Sequence, residues 1–496
     1  MSVNSISSTP NSMIQALIDM RSQFNDLNRQ LASGQKSDTY AGLGSGRGLT
    51  VSLNAQLSAL SGFDNSISMV NTRLQLAQNA LGGMSTIASN TQSLVLQAGS
   101  SGATPSSTQL TAQSSLQQLL GLINTQAGGR YLFSGNATDQ PSVATYDQIV
   151  NGDGARAGLK QVIDERTQAD LGTNGLGRLT VGGTGSSTTL TEDAGVFGFK
   201  LASASSNLTN ATVSGPTGSP ANLSVDFSGG QPNNGDTLTV RLNLPDGTTT
   251  NLTLTATTQS PPAAGQFTIG ATTADTAANL QSTLSTSLGQ LAGSTLKAAS
   301  AVAASNDFFN ADVNNPPQRV AGPPFDTATT MTAGSAANTV IWYTGDASAT
   351  PARSTATTQV DPSLVVSYGA RASETGIRTL VQNVATLAAV TISPSDPNAQ
   401  NLSSALTQRI GTGLAGTPGQ QSITSIEADL AGVQTTMASV KSQHQQTNAT
   451  LSDMLQGING VSNEQVGAQI LTLQTRMEAS MQTTAMLYQL SLTKFL

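Results

Sequence analysis

The chain has 496 residues, of which only 10% are charged and 4% are aromatic, and it carries a net charge of −7. An acidic chain of this kind argues against nucleic acid or an anionic membrane as a partner, and we expect neither. It contains no cysteine and a single histidine, His444. This excludes a disulfide framework and thiolate chemistry, and it argues against a histidine metal site or a Ser–His–Asp triad. We therefore expect no enzyme activity, no cofactor and no metal.

The chain also lacks the signals of membrane insertion. It has no run of 18 apolar residues, so no transmembrane span is expected. Residues 1–20 have neither a basic n-region nor a continuous apolar h-region, so no cleavable secretory signal is expected. Low charge, abundant Ser and Thr and the absence of Cys are nevertheless typical of an extracellular protein. Such a protein would leave the cell by a route that keeps its N-terminus.

The first predicted helix covers residues 13–31, where apolar residues are separated by alternating steps of four and three. This spacing places them on one stripe of a helix. Thr9 before Pro10 is a typical N-cap and first turn, and Ser33-Gly34 is a typical helix end. The stripe consists of Met13, Leu17, Met20, Phe24, Leu27 and Leu31.

A longer helix is predicted over about residues 49–98, after the Gly- and Ser-rich residues 33–48. One row of apolar residues recurs at every seventh position, and a second row follows it three positions later. Pro105 and Ser106 then begin a third helix, predicted to run to about Ala127. The two rows are Leu53, Leu60, Ile67, Leu74, Leu81, Ala88 and Val95, and Phe63, Val70, Ala77 and Met84.

The C-terminal part of the chain has the same pattern. Steps of three and four run from Ile423 to Val461, and His444 lies on this stripe, which predicts a packed or buried-network histidine. Ser462 with Gln465 is typical of a capping box and predicts the start of a last helix. The apolar residues of that helix and of the end of the chain are Val466, Ile470, Leu473, Met477, Met481, Leu487, Phe495 and Leu496.

Narrow stripes of this kind cannot be buried by one helix alone. The terminal helices are therefore predicted to pair with each other, with copies of themselves, or both. A self-contained four-helix domain is the alternative.

The helical period disappears between about residues 140 and 370, where Gly, Ser, Thr, Asn and Pro dominate. We predict a small α+β module at about 175–345 and loop at 310–335, with helix returning at 370–390. Within the module, a helix carries Leu280, Leu284, Leu288 and Leu291, and Pro245-Asp246-Gly247 is the turn of a hairpin. The four predicted strands are 223–227, 237–244, 250–256 and 266–269.

These elements predict an α+β multidomain fold in which long terminal helices form a coiled-coil-like antiparallel bundle with an inserted β-rich domain. Residues 1–40 and 462–496 are predicted to be a terminal helical assembly region. Residues 41–140 and 370–461 are predicted to be the long-helix bundle. Residues 141–369 are predicted to be the inserted, outward-facing variable domain.

Other candidate motifs carry no chemistry. Residues 42–48 are Gly-rich but match neither phosphate-loop pattern. Residues 151–154 offer oxygen ligands, but no Glu follows at the distance that a calcium loop requires. Trp342 and Tyr343 are predicted in the core of the inserted module. The carboxylates for which the sequence offers no partner are Asp361, Glu374 and Glu427.

Three segments, residues 31–38, 129–135 and 490–496, carry motifs that together resemble the flagellin superfamily. Residues 31–34, Leu-Ala-Ser-Gly, resemble the motif that follows the first helix in that family, and Lys36 and Asp38 fall in its next loop. Residues 490–496 resemble the C-terminal end of the hook–filament junction subfamily more than that of filament flagellins. The motif that closes the family's N-terminal helical region is matched by Gly129, Arg130, Tyr131, Leu132, Phe133, Ser134 and Gly135.

The resemblance covers about residues 1–140 and 370–496, and it implies a structural role. It implies export in the unfolded state by the flagellar type III apparatus, terminal helices that pack into tubes, and an adaptor ring between the hook and the filament. The implied partners are copies of itself in a ring or helical assembly, the hook-side junction protein, flagellin and an export chaperone. The implied location is the extracellular flagellum. A filament flagellin is the nearest alternative, and a secreted adhesin is a remote one.

Overall fold

The computed structural model describes residues 8–100 and 104–493. These residues form an α+β fold with long helices at both ends of the chain and a β-rich middle, which confirms the predicted fold class. They divide into two compact units. We call Met1–Val70, Thr358–Val365 and Thr435–Leu496 the terminal unit, and Asn71–Thr357 with Val366–Gln434 the central unit. The three-part division predicted from the sequence stays a prediction.

The helices near both termini are the longest elements. A 3₁₀ turn, Tyr40–Gly46, joins the first two helices, and a π turn, Ala292–Leu296, joins the sixth and seventh. The second helix has 54 residues, which is about 80 Å at 1.5 Å per residue. In chain order, the helices are α1 (Ser8–Ser33), α2 (Arg47–Ser100), α3 (Pro105–Ile123), α4 (Tyr146–Asn151), α5 (Leu159–Leu171), α6 (Thr273–Leu291), α7 (Lys297–Asn310), α8 (Thr375–Ala389), α9 (Ala399–Ala415), α10 (Ile423–Asn459) and α11 (Asn463–Thr493).

In the terminal unit, α1 packs along α11. The end of α1 meets the start of α11, because Val461 N donates to Gly34 O at 3.1 Å and Lys36 N donates to Asn459 O at 2.7 Å. The chain therefore enters this junction along α1 and leaves it along α11, so the two helices run antiparallel. The start of α2 and the end of α10 meet at the same junction, where the Thr50 hydroxyl donates to Asn459 Oδ1.

The strands are short, and most of them lie in the central unit. In chain order, they are β1 (Gln126–Ala127), β2 (Arg130–Tyr131), β3 (Leu179–Gly182), β4 (Ser187–Glu192), β5 (Lys200–Ser206), β6 (Thr212–Gly218), β7 (Ala221–Asp226), β8 (Thr237–Asn243), β9 (Thr249–Thr257), β10 (Gln266–Thr268), β11 (Arg319–Val320), β12 (Met331–Thr332), β13 (Thr357–Asp361) and β14 (Leu364–Ser367).

Two four-stranded sheets and α6 form one hydrophobic core in the central unit. The first sheet has the order β3-β4-β7-β6 and is antiparallel. The second has the order β10-β9-β8-β5, and only β10 pairs in parallel with its neighbour. Leu280, Leu284 and Leu288 of α6 lie in the same buried cluster as residues from both sheets. Because β4, β7, β8 and β9 alternate buried side chains with more exposed ones, the sheets need this shared core on one face.

The predicted hairpin is confirmed. β8 and β9 pair antiparallel in register, with Leu238 opposite Leu254 and Val240 opposite Leu252. Gly247 has a φ of +81° in the turn, a conformation that glycine adopts without strain. The alternation of apolar and polar residues therefore located both strands to within one residue.

The middle of the chain contains more helix than we predict. α4, α5 and α7 lie in the segment where the helical period disappears, and eight strands, β3 to β6 and β11 to β14, are also missing from the prediction. Two of them, β11 and β12, lie within residues 310–335, which we predict as loop. α7 buries Ala298, Ala301 and Ala304, so its inner face consists of small residues that give no leucine-like period. β6 contains Gly and Pro and shows no alternation.

The third helix is shorter than we predict. α3 ends at Ile123 rather than near Ala127, because residues 126–131 form the β1–β2 hairpin. Trp342 is buried, but it packs edge-on against Phe309 of α7 and donates Nε1–H to the Phe309 carbonyl at 2.9 Å. Trp342 and Tyr343 are thus buried inside the module, as predicted, with the indole packed on α7 and outside the core between the two sheets.

Candidate assembly surfaces

The apolar stripe of α1 lies partly covered in the terminal unit. Met13, Leu17, Met20, Phe24 and Leu27 are half-buried. The last member of the stripe, Leu31, is 41% exposed. The packing of α1 against α11 therefore covers the stripe only in part.

The stripe of α11 is buried near its start and uncovered further on. Val466, Ile470 and Leu473 are buried, and Met477 is half-buried. Beyond that point the inward positions pass to Ser480 and Thr484, because the helix repeats every 3.6 residues and the apolar spacing drifts away from it. Met481 and Leu487 are consequently about half exposed. Phe495 and Leu496 lie outside the described residues.

Large apolar side chains remain in contact with solvent on both terminal helices. Exposed apolar surface of this kind marks sites that another molecule covers. In the described part of α1 and α11, these side chains are Ile14, Ile18, Leu31, Leu471, Met481, Met486 and Leu487. The terminal unit therefore offers an apolar surface suited to contact with further helices.

The loop between α1 and α2 is held to the end of α10. Gly34 has a φ of +69°, and its N–H donates to Gln30 O, which ends α1 as the sequence predicts. The Lys36 ammonium donates to the Ile458 carbonyl at 2.9 Å, close to the C-terminal end of α10. A cation at this position interacts favourably with the helix dipole. The loop residues thus fix the junction of the four long helices.

His444 lies in a buried polar cluster of the terminal unit. Its side chain is 3% exposed, and Nδ1 is 2.8 Å from Asp64 Oδ1 of α2. Nε2 lies 3.5 Å from Asp361 Oδ2 of β13, and the ring packs near Phe63. The pKa of Asp361 lies below its ordinary value, mainly because the Ser363 backbone N–H donates a hydrogen bond to its carboxylate. The Ser363 hydroxyl and His444 add to this effect. The histidine joins three segments, which fits the predicted buried network.

Replacing His444 with leucine should loosen this cluster. Asp64 would lose its hydrogen-bond donor, and a hydrogen bond to a charged group contributes about 1.5–3 kcal/mol. The Asp64 side chain is 28% exposed, so water replaces part of that energy and we expect a loss of about 1–2 kcal/mol. Hydrogen exchange of α10 around residue 444 and of α2 around residue 64 should become faster. His444→Gln retains a hydrogen-bond donor and should therefore lose less stability than the leucine variant. Identical hydrogen exchange in the leucine variant and the unchanged protein would contradict the role of the cluster.

The motif at residues 129–135 begins with the tight β1–β2 hairpin. Gly128 and Gly129 have φ values of +61° and +75° at its turn, which favours glycine at both positions. Leu132 N then donates to Thr125 O at 3.1 Å. Arg130 is exposed at the hairpin, whereas Tyr131 and Leu132 are half-buried.

The second half of the motif is a buried anchor. Phe133 and Ser134 are fully buried. Ala372 N donates to Phe133 O at 2.8 Å, and Gly135 N donates to Ala370 O at 3.1 Å. Asp346 N donates to Ser134 O at 2.9 Å. The motif therefore ties the end of the N-terminal helices to the segment that leads into α8.

Comparison with known proteins fits this arrangement. Residues 5–138 match the bacterial flagellin N-terminal helical region. No curated protein matches the chain. The match supports the flagellin superfamily and, with it, a structural subunit of the bacterial flagellum, which is an extracellular appendage. The flagellin-type region spans α1, α2 and α3 and extends through the motif at residues 129–135.

A buried ion pair supports the end of the flagellin-type region. Arg371 donates to Asp346 Oδ2 at 2.5 Å and to the Ser348 carbonyl at 2.7 Å, and both charged side chains are largely buried. A Cβ atom at Gly135 would lie 3.0 Å from Arg371 Nε and from Asp346 Cβ, so glycine at this position leaves room for the pair. Sequence reasoning missed both charged residues, because they lie 25 positions apart and neither belongs to a motif.

Metal-binding clusters and membrane-spanning helices are absent from the described residues. Among residues 8–100 and 104–493, no group of three or more His, Asp or Glu side chains could hold a metal ion. The loop at residues 151–154 uses Asp153 to bind Arg156. In the same part of the chain, no helix combines the length and apolarity of a membrane span. The prominent features are packing surfaces and the anchors that hold them.

Proposed function

We propose that this chain is the adaptor subunit at the hook–filament junction of the bacterial flagellum. The observation that carries the proposal is the flagellin-type region at residues 5–138. Two segments resemble the junction subfamily more than filament flagellins and therefore favour it: the motif at residues 129–135 and the segment at residues 490–496.

The proposed mechanism is mechanical. Subunits form a ring or a short helical assembly in which α1 and α11 of neighbouring copies cover each other's exposed apolar side chains. The uncovered side chains of these helices support this role. The ring joins a hook-side junction protein on one side and flagellin on the other, and the central unit carries no chemistry in this function.

Export through the flagellar type III apparatus, with an export chaperone, belongs to the same proposal. A chain without cysteine can pass through a narrow channel unfolded without first breaking a disulfide. The α1–α11 pair, with its incompletely covered stripes, is suited to complete its folding when neighbouring subunits arrive.

The test is to locate the protein on the flagellum. A labelled chain should give one spot at the base of each filament, since an adaptor is present only at the junction. In a deletion strain, electron microscopy should show hooks without filaments, and flagellin should be found in the medium. Label along the whole filament would assign the chain to filament flagellin instead, and intact filaments in the deletion strain would reject both roles.

A further inference from the structure

The central unit contains a polar cleft that the assembly function does not use. Its volume is about 730 Å³, within the range of roughly 300–1,000 Å³ that is typical of ligand pockets. Helices α7, α8 and α9 form its walls, with the loop after α9 and the β8–β9 turn at its edges. Among the described residues that line it, none is aromatic, and Val302 is the one large apolar residue.

Arg378 of α8 is a charge without a partner in this cleft. Among the described residues, no carboxylate oxygen lies within ion-pair distance of its guanidinium. Glu374, one turn earlier, is already bound by Arg353, the Arg371 backbone N–H and Gln421. Burial lowers the pKa of Arg378, although arginine stays charged in proteins. A partly desolvated cation without an anion costs stability, so the fold gains nothing from it unless an outside group binds.

The second arginine of the cleft is neutralised. Arg409 Nε donates to Asp246 Oδ2 at 2.7 Å, and the Asp246 side chain is almost fully buried. Thr248 also donates to Asp246 through its N–H and its hydroxyl. The cleft thus retains the single uncompensated positive charge of Arg378, in a chain whose net charge is −7.

Carboxamides and hydroxyls make up most of the remaining lining. Gln408 and Gln420 are exposed at the cleft, and Thr375 and Thr379 flank Arg378 on α8. Carboxamides offer both a donor and an acceptor, which matches the N–H and C=O groups of a peptide backbone. A sugar site would be expected to present an aromatic ring to the ligand.

We propose that the cleft binds an acidic peptide segment of a partner protein. The carboxylate of a Glu or Asp side chain would pair with the Arg378 guanidinium, which can donate two parallel hydrogen bonds. The glutamine side chains would bind the peptide backbone. This site is independent of the helical assembly surfaces.

Calorimetric titration of the full chain with two short peptides tests the proposal. One is an acetylated and amidated tetrapeptide of alternating Ala and Glu, and the other has Gln in place of Glu. The Glu peptide should bind about tenfold or more tightly than the Gln peptide, the difference expected for a charge-assisted pair. Arg378→Gln should remove this preference, and Arg378→Lys should keep part of it, because lysine retains the charge but not the paired donors.

The control is Arg73→Gln, which removes a half-buried arginine of α2 outside the cleft and should leave both affinities unchanged. The two peptides are compared on the unchanged protein, so the result does not depend on the folding of a variant. Equal binding of both peptides, no binding, or an unchanged preference in Arg378→Gln would overturn the proposal. Binding of glucuronate but not of the Glu peptide would also overturn it, in favour of an acidic sugar site.

Discussion

Replacing Arg371 with alanine should lower the free energy of unfolding of the central unit by about 3–5 kcal/mol, the usual cost of removing one partner of a buried ion pair. Asp346 would remain largely buried without its guanidinium partner. Burial by itself raises the pKa of Asp346, but hydrogen bonds from Ser348 and then from Arg371 outweigh it, and the pKa stays below its ordinary value. The carboxylate is therefore charged at neutral pH. Chemical denaturation followed by circular dichroism measures the loss.

The pH dependence of this loss has a definite sign. A carboxylate whose pKa is lower in the folded state stabilises the protein above its unfolded-state pKa, about 3.9 for Asp, and this contribution is lost as the pH falls. The difference between Arg371→Ala and the unchanged protein should therefore be largest near pH 7 and should shrink below about pH 4. Arg156→Ala is the matched control, since its pair with Asp153 is more exposed and screened by water, so its loss of stability should be much smaller. Equal losses in the two variants would show that the buried pair has no special role.

The helices at both ends could be predicted from the sequence because each of them buries one continuous stripe of side chains along its length. Apolar residues spaced by three or four positions identify that buried face. Leu53, Leu74 and Leu81 are buried, as their heptad spacing predicts. Helix ends can also be predicted where the sequence contains a capping residue. Ser462 accepts a hydrogen bond from Gln465 N at 3.3 Å at the start of α11, as an N-cap should.

In the middle of the chain, the sequence predicts the elements whose apolar residues recur at a regular spacing, which are β7 to β10 and α6. By contrast, α5 buries Glu165 and Asp170 on its inner side. Glu165 is paired with Arg319, and Asp170 with Arg166. A buried charge looks like a solvent-facing residue in the sequence, so the helical period of α5 is hidden until its partners are known.

The polar anchors could not be predicted for a related reason. His444 is recognisable as unusual because it lies on an apolar stripe, but its partner Asp64 is 380 residues away. Asp361 and Glu374 likewise have partners that only the fold brings close, His444 and Arg353. Sequence periodicity reports which face of an element is buried; it contains no information on pairs between distant elements.

A carboxylate in place of Leu473 should abolish assembly without unfolding the central unit. Leu473 is 7% exposed on α11, within the terminal unit, so Leu473→Asp would bury an unpaired charge at a cost of several kcal/mol. The sheets and α6 have their own core in the central unit and do not depend on this residue. We expect the variant to be secreted with a folded central unit and to fail to join the hook to the filament. Hydrogen exchange on the secreted protein and a motility assay with electron microscopy of the hooks measure the two effects.

Two neighbouring positions separate folding from assembly. Leu471 is 66% exposed in the single chain, so Leu471→Asp should leave the terminal unit stable and reduce motility only if neighbouring subunits cover that side of α11. Gln474→Asp adds the same charge at an exposed polar position and should change neither property. Normal motility of Leu473→Asp would show that assembly does not need the packing of α11 around Leu473. Loss of the folded central unit in that variant would show instead that the two units fold as one, because a charge buried in one of them would then destabilise both.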